Sequence, residues 1–415
     1  MSASSIVVVI GAGIVGVSAA LWLRRAGVDV VLVDRIGPGE ATSYGNAGVL
    51  AACAVVPVTG PKLARRLPRY LLDRNSPLYL RWPYLPKLAP WLARYLAVAN
   101  DRDTRRIAEG LTQIVADSVA QHRALAEGTP AAQWLVESDY AYAYADRRAF
   151  DADAYAWELR ALAGFEPTII EGTDVQRHEP SLGPSTGLIA SLRGHGFVRD
   201  PGAYVAALAA AFEGSGGRIL RANVTGIEIE RGRLRCVATD SGPLNCDACV
   251  IAAGVWSKPI MDALRIVVPL ESERGYHVVF KGATGGPRRP VMIAAGKFVA
   301  TPMKAGLRCA GIVEFGGTRA GPSRAPLAFL RRHARLAFPS LEAVAEEEWL
   351  GHRPAPADSL PLIGEIDGTR VFAAFGHHHI GLTSGPKTGR LVAEAVTGQT
   401  PSADLSHFQP SRFSS

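Results

Sequence analysis

Glycines at positions 11, 13 and 16 and an aspartate at 34 have the types and the spacing that bind a dinucleotide. Gly11 permits a tight turn, Gly13 lets backbone approach a pyrophosphate, and Gly16 lets a helix pack closely on a strand. The amino end of that helix then faces the phosphates with its unpaired N–H groups. Asp34, 18 residues after Gly16, is placed to hold the adenosine ribose hydroxyls. His377, His378 and His379 suggest a metal, but three consecutive residues do not converge on one ion in a regular element, and a site needs a further ligand. No metal is expected. Cys246 and Cys249 have the spacing of a redox or zinc pair, yet they lead into an apolar run and have no partner pair elsewhere, so packing thiols are expected. The chain has no Gly-x-Ser-x-Gly elbow and no His-Glu-x-x-His helix, which leaves hydrolase and metalloprotease readings without their usual signatures.

The elements around these residues are legible from local pattern. Ile6 to Ile10 is a β-branched run of the buried parallel-strand type, and a helical pattern follows through Leu21 to Arg25. Gly27 closes that helix, and Val28 to Val33 reads as a second strand ending at Asp34. The uncharged run from Ile6 to Leu23 is 18 residues long, close to a membrane span, but it lacks a basic flank and its glycines fit the strand–turn–helix better. A nicotinamide domain would continue into a third strand and helix; here a polar loop from Thr42 to Gly48 and a basic, proline-rich segment follow instead. That loop is expected to make a second cofactor contact. Short strands between Arg218 and Val237, and a buried strand from Cys249 towards Gly254, indicate that the cofactor domain resumes downstream. Tyr204 to Phe212 is a helix. Another begins at Gly381 and runs through Leu391 to Val396; its amides either face a negative charge on the cofactor or are capped by Thr383 or Ser384.

Taken together, these motifs resemble the FAD-dependent D-amino-acid dehydrogenase and glycine oxidase group of amine oxidoreductases. The likeness runs nearly end to end. It is carried by Gly11 to Gly16 with Asp34-Arg35, Thr42-Ser43 to Asn46-Ala47-Gly48, Ala252-Ala253-Gly254, Arg274-Gly275-Tyr276-His277, Gly351-His352-Arg353-Pro354 with Asp358 and Pro361 to Gly364, and Gly376-His377 with Gly381-Leu382-Thr383. The resemblance implies an α/β fold: a Rossmann-like FAD-binding domain made of residues 1–58, 170–264 and 347–415. An inserted α+β substrate domain on a mainly antiparallel sheet takes residues 59–169 and 265–346. It implies oxidation of an amine carbon beside a carboxylate, with hydride passing from Cα to flavin N5 and electrons going on to a quinone or an electron-transfer protein. The narrower likeness is to bacterial D-amino-acid dehydrogenases, including forms acting on D-proline-like secondary amines. An oxidase of the glycine or sarcosine type that makes peroxide is the alternative.

The same resemblance assigns roles. Arg353 matches the family's carboxylate anchor, and a guanidinium suits that task because it grips with two parallel charge-assisted bonds; the competing use of an arginine beside proline is a surface salt bridge. Tyr276 would add a hydroxyl contact and a pocket wall, and His377 or His379 would line the pocket. Val224, Ala253, Gly254, Gly376, Gly381, Leu382 and Thr383 join the fingerprint glycines, Asp34, Arg35, Thr42, Ser43, Asn46, Ala47 and Gly48 as cofactor contacts. The stretch Arg353 to Asp358 has no cysteine and the Gly45-Asn46 region no histidine, so noncovalent FAD is expected; flavin that stays with the polypeptide after acid precipitation contradicts this.

Composition bounds the rest. With 48% hydrophobic and 20% charged residues over 415 positions, the chain is too apolar for disorder and long enough for two domains. Five cysteines spread thinly make no disulfide framework and point to a reducing, cytoplasmic setting. The net charge of +7 is local: residues 61–110 hold 11 Lys and Arg against 4 Asp and Glu, and the remainder balances. Within that segment Leu88, Trp91, Leu92, Tyr95 and Leu96 share one helical face, with Lys87 and Arg94 opposite. Such a face suits either a peripheral contact with the inner side of the plasma membrane or packing into the substrate domain. A nucleic-acid partner is not expected, because Pro68, Pro77, Pro83, Pro86 and Pro90 interrupt the basic residues.

Overall fold

The computed structural model describes residues 5–61, 63–64, 67, 73 and 76–413. The β-branched run at the amino end forms strand Ile6–Ile10, central in a six-stranded sheet. Across that sheet the order is Leu362–Glu365, Val371–Phe375, Ala248–Ile251, Ile6–Ile10, Asp29–Asp34 and Arg218–Arg221. All neighbours are parallel except the first two, which form an antiparallel pair. This explains why no third strand of this sheet follows Asp34: the outer neighbours of the first two strands, Ala248–Ile251 and Arg218–Arg221, come from far along the chain. Helix Ile14–Arg25 and helix Gly381–Val396 lie together on one face of the sheet, joined by apolar side chains and by Trp22 Nε1 donating to the Pro386 carbonyl at 3.2 Å. The other face is closed by a second apolar cluster that includes Val8, Val31, Cys249 and the meander Val224–Glu230, Arg233–Thr239 and Gly242–Asn245.

A ten-stranded sheet supplies the second layer. Its main path runs Ala345–Pro356, Leu270–Lys281, Gly306–Phe315, Phe298–Met303, Val291–Ile293, Leu135–Tyr144, Leu188–Val198 and Val49–Leu50. Pairing is antiparallel apart from Val291–Ile293 with Leu135–Tyr144 and the marginal strand Leu78–Leu80 with Gly306–Phe315. Two strands of this sheet, Leu188–Val198 and Ala345–Pro356, fall within or across the 170–264 and 347–415 stretches, so the two sheets alternate along the chain more finely than that division. The register matters for the site: Glu273 stands opposite Arg353, and Gly275 opposite Gly351.

The amphipathic face of helix Leu85–Ala97 turns inward. Leu88, Trp91 and Tyr95 are buried, the two rings stack at 4.5 Å, and Trp91 Nε1 donates to the Ala355 carbonyl at 2.9 Å. Packing against Ala355, Ala357 and Phe315 therefore replaces the membrane-interface reading of this face. Lys87 and Arg94 are exposed, as solvated charges on the far side. Much of the remaining basic stretch, Lys62, Arg65, Arg66, Arg69 and Arg74 with Pro68 and Tyr70, lies outside the described residues. Among the described residues, no helix is long and apolar enough to cross a membrane.

Candidate active site

One cavity of about 1400 Å³ runs between the two sheets. Ordinary small-ligand pockets hold roughly 300–1,000 Å³, so it has room for an extended cofactor and a substrate. At one end stands the glycine turn. Gly11 has φ +102°, and a Cβ there would sit 2.6 Å from the Ala252 carbonyl oxygen. A Cβ on Gly16 would lie 1.8 Å from the Gly11 carbonyl, so only glycine lets the helix begin this close to the strand. Gly13 meets nothing nearer than Ser43 Oγ at 3.3 Å and leaves its backbone facing the cavity. Ser43 Oγ accepts from the Ile14 amide at 2.9 Å, tying the 42–48 loop to the helix start.

Asp34 and Arg35 line the same end. Asp34 Oδ2 accepts from the Ala12 amide at 2.7 Å, and Oδ1 accepts from the amides of Ile36 at 2.9 Å and Gly37 at 3.2 Å. The carboxylate therefore braces the turn, and its remaining lone pairs are what a ribose hydroxyl can reach. Arg35 lies over the Trp256 ring at 4.1 Å, making an aromatic wall that sequence reasoning did not identify. Val224, Ala253, Gly254, Thr42, Ser43, Asn46 and Ala47 complete the lining here. Gly16 and Gly48 stand behind it, and the Gly48 amide donates to Asn46 Oδ1 at 2.8 Å. The loop is also held from the large sheet: Arg308 Nη1 donates to the carbonyls of Tyr44 at 2.8 Å and Asn46 at 2.7 Å, and Thr42 Oγ1 donates to the His352 carbonyl at 2.9 Å.

Gly381, Leu382 and Thr383 bring a helix amino terminus to the cavity. No side chain caps it; Thr383 Oγ1 instead donates to the Val49 carbonyl at 3.2 Å and Ser384 Oγ to the Ile380 carbonyl. The capping alternative is thereby set aside, and the positive end of the dipole is left for a ligand.

His377 points away from the other two histidines, whereas His378 and His379 meet through their Nδ1 atoms at 2.7 Å. His377 is buried with Nε2 2.9 Å from Thr388 Oγ1, and burial pushes its imidazole down to about 3, so it is neutral at working pH. His378, at φ +50°, puts Nε2 2.9 Å from Glu273 Oε2. His379 has exposed surface and lines the cavity together with Gly376 and His377. Cys246 and Cys249 are free thiols; burial pushes Cys246 up to about 12 and Cys249 well above the ordinary thiol range, the behaviour of packing residues.

Arg353 faces the cavity from strand Ala345–Pro356. Its guanidinium lies over Gly275, where an added Cβ would be 2.7 Å from Cζ, and reaches the Gly311 carbonyl at 3.5 Å. Its carboxylate partner Glu273 is buried and 3.4 Å away. These contacts are long, so the guanidinium keeps donors for a ligand. Burial alone would raise the Glu273 carboxyl, but the charge and hydrogen bond of His378 and the charge of Arg353 outweigh it and bring it down to about 2. Glu273 was not foreseen.

Tyr276 differs from expectation. Its ring borders the cavity, but its hydroxyl donates to Glu314 Oε2 at 2.6 Å and accepts from the Ser323 amide at 3.0 Å, beside a 2.9 Å Arg274–Glu314 ion pair. It is a structural hydroxyl in a buried network rather than one presented to a ligand.

A parallel sheet whose glycine turn opens on a long cavity, with an arginine facing in from a second sheet, is the arrangement of a dinucleotide-dependent enzyme. The sequence model for the DAO family, described as FAD dependent oxidoreductase, matches residues 7–395. The chain is 38% identical to a D-amino-acid oxidase of Bradyrhizobium diazoefficiens, covering 98% of each. It is 30% identical to D-amino acid dehydrogenase 2 of Ralstonia nicotianae, covering 95% of this chain and 97% of the other. In structure it is similar to an L-proline dehydrogenase from P. horikoshii, with TM-score 0.75 at 19% identity over 100% and 99% of the two chains. A glycine oxidase from Geobacillus kaustophilus gives TM-score 0.73 at 21% identity over 99% of both. The chain belongs to the DAO family of FAD dependent oxidoreductases, and the glycine cradle and cavity fit that cofactor.

Proposed function

We propose that this enzyme oxidises the Cα–N bond of a D-amino acid or a related small secondary amino acid, with D-proline-like substrates included. The observation that carries the reading is Arg353, a guanidinium with spare donors facing the cavity that begins at the dinucleotide turn. Bound FAD supplies the two-electron acceptor; everything else is placement by the chain. Arg353 grips the substrate carboxylate, and a fixed carboxylate restricts Cα to a near-attack distance of about 3 to 3.5 Å. Glu273 keeps the guanidinium oriented, and Gly275 leaves the space into which it folds. Burial leaves the His377 imidazole a weak base and Glu314 engages the Tyr276 hydroxyl, so no side-chain base is assigned: the amine arrives neutral or loses its proton on binding. The uncapped helix start at Gly381 stabilises negative charge at the cofactor end of the cavity. FAD is held noncovalently.

Electrons then pass to a quinone or an electron-transfer protein, in line with the relatives named dehydrogenases. Direct return to oxygen is the second reading, favoured by the relative named D-amino-acid oxidase. A visible spectrum during anaerobic additions of D-alanine, D-proline, D-hydroxyproline and glycine, followed by air, tests both. Bleaching by a D-amino acid that reverses slowly in air supports the dehydrogenase; rapid reversal with peroxide supports the oxidase. No bleaching by any amino acid, or bleaching undiminished in an Arg353→Met variant, overturns the assignment.

A further inference from the structure

Arg160, in the last turn of helix Ala154–Leu162, lines the same cavity as Arg353. Its guanidinium stands over the rings of Tyr142 at 4.7 Å and Trp157 at 4.6 Å, with the Cys53 thiol and the Tyr140 and Tyr144 hydroxyls nearby. None of these neighbours supplies a negative charge at neutral pH, since burial raises all three tyrosines and Cys53 above their ordinary values. The nearby carboxylate, Asp153, is engaged by the Tyr144 hydroxyl at 3.2 Å and by Lys297 at 3.6 Å. Arg160 donates a hydrogen bond to the Cys53 thiol, but its Nε is buried without a partner, and among the described residues Arg160 has no ion pair.

Four other arginines that turn into the fold are matched, while Arg35, at the dinucleotide end of the cavity, is exposed and stacks on Trp256. Arg274 meets Glu314, Arg353 meets Glu273, Arg412 meets Asp358, and Arg308 donates to two carbonyls. Arg160 is half-buried, and a guanidinium drawn out of water without an anion is stabilised only in part by two aromatic faces. A ligand anion in the cavity would complete it.

The sheet fixes the separation. Tyr142 pairs with Met292, Met292 with Val299 and Val299 with Ala310, and all four line the cavity. The Arg353 guanidinium reaches the strand of Ala310 through the Gly311 carbonyl. Three strand spacings, roughly 14 Å, separate the strand of Tyr142 from that of Ala310 and set the scale of the distance between the two guanidinium groups. A bound carboxylate sits roughly 4 Å in front of each, which leaves roughly 6 Å between two carboxylates. That is the reach of a five- or six-carbon chain with bonds of about 1.5 Å.

We propose that Arg160 anchors a second carboxylate, so that the favoured substrates are D-amino acids whose side chain ends in an acid, D-glutamate and D-2-aminoadipate above all. This rests on the reading of Arg353 as the α-carboxylate anchor. Steady-state kinetics of wild type and Arg160→Met on D-glutamate, D-2-aminoadipate and D-norvaline test it, together with calorimetric titration of glutarate and butyrate. Wild type is expected to favour the acidic substrates and to bind glutarate more tightly than butyrate. Arg160→Met is expected to lose about 10- to 100-fold on the acids, the worth of a charge-assisted bond, and less than about 3-fold on D-norvaline. Oxidation of D-norvaline as good as that of both acids, or an equal loss on all three, overturns the subsite and leaves the amino-acid reading standing. If no amino acid is oxidised, that reading fails, while glutarate binding that weakens in Arg160→Met still supports the anion subsite. Should the variant not fold, the wild-type preference and the glutarate-to-butyrate comparison decide.

Discussion

Replacing Glu273 by glutamine keeps its shape and removes the charge between Arg353 and His378. The carboxyl lies near 2 in the folded protein, well below its ordinary value of 4.5. At about 1.36 kcal/mol per unit, its ionised form contributes on the order of 3 kcal/mol. The folded value is the depressed one, so this contribution is fully present above pH 4.5 and is lost as pH falls from 4.5 towards 2. Glutamine leaves Arg353 without its carboxylate, a change typically worth about 3–5 kcal/mol in a buried pair. Thermal melting of wild type and Glu273→Gln at fixed flavin and protein concentration, from pH 8 to pH 3, checks the argument. The variant should melt lower by a constant interval down to about pH 5, and the gap should then narrow. The Michaelis constant should also rise, since Arg353 loses the group that orients it. A gap that holds its size from pH 7 to pH 3, or no gap at all, refutes the pairing.

Three further substitutions probe the cradle, the anchor and the buried network. Gly16→Ala drives a methyl against the Gly11 carbonyl, at a cost of about 1–3 kcal/mol or more; the purified protein should have lost most of its flavin, read as the ratio of visible to ultraviolet absorbance, and a wild-type ratio defeats the close-packing argument. Gly275→Ala displaces the flexible end of Arg353 while leaving the fold intact, so melting should barely move while kcat/KM falls about 100-fold, the worth of a misplacement of about 1 Å. Tyr276→Phe strips Glu314 of a donor and the Ser323 amide of its acceptor, which should cost about 1–3 kcal/mol with little change in KM; a large rise in KM at unchanged stability would return the hydroxyl to the substrate.

What could be read from the chain alone was what is encoded locally. The strand–turn–helix from Ile6 to Arg25 and the helix beginning at Gly381 follow from period and turn chemistry within a few residues, and both stand where the pattern puts them. The buried strand from Cys249 towards Gly254 was legible as an apolar run ending in small residues, and it pairs with Ile6–Ile10. The amphipathic helix Leu85–Ala97 shows the limit, because periodicity identifies an apolar face without saying what covers it. Ala355, Ala357 and Phe315 do so, from strands more than two hundred residues away.

The charged side of the site was hidden for a deeper physical reason. Strand Leu270–Lys281 is buried at every position from Leu270 to Phe280, so it carries no polar alternation from which to tell its faces apart. Nothing local indicates that Glu273 meets Arg353, or that the Tyr276 hydroxyl belongs to Glu314; both follow from a register set across 38 to 80 residues of chain. A slip of one residue would exchange the two faces. The anchoring arginine could be matched to a family motif because one residue type does that work, whereas the carboxylate that orients it is identified only by pairing. The same logic governs Arg160. Its proposed role rests on having no carboxylate partner among the described residues, a property of three-dimensional surroundings that residue spacing cannot express. On the proposed reading, Glu273 orients Arg353 for the carboxylate common to all amino acids, while Arg160, without an ion pair among the described residues, is left for a group that distinguishes them.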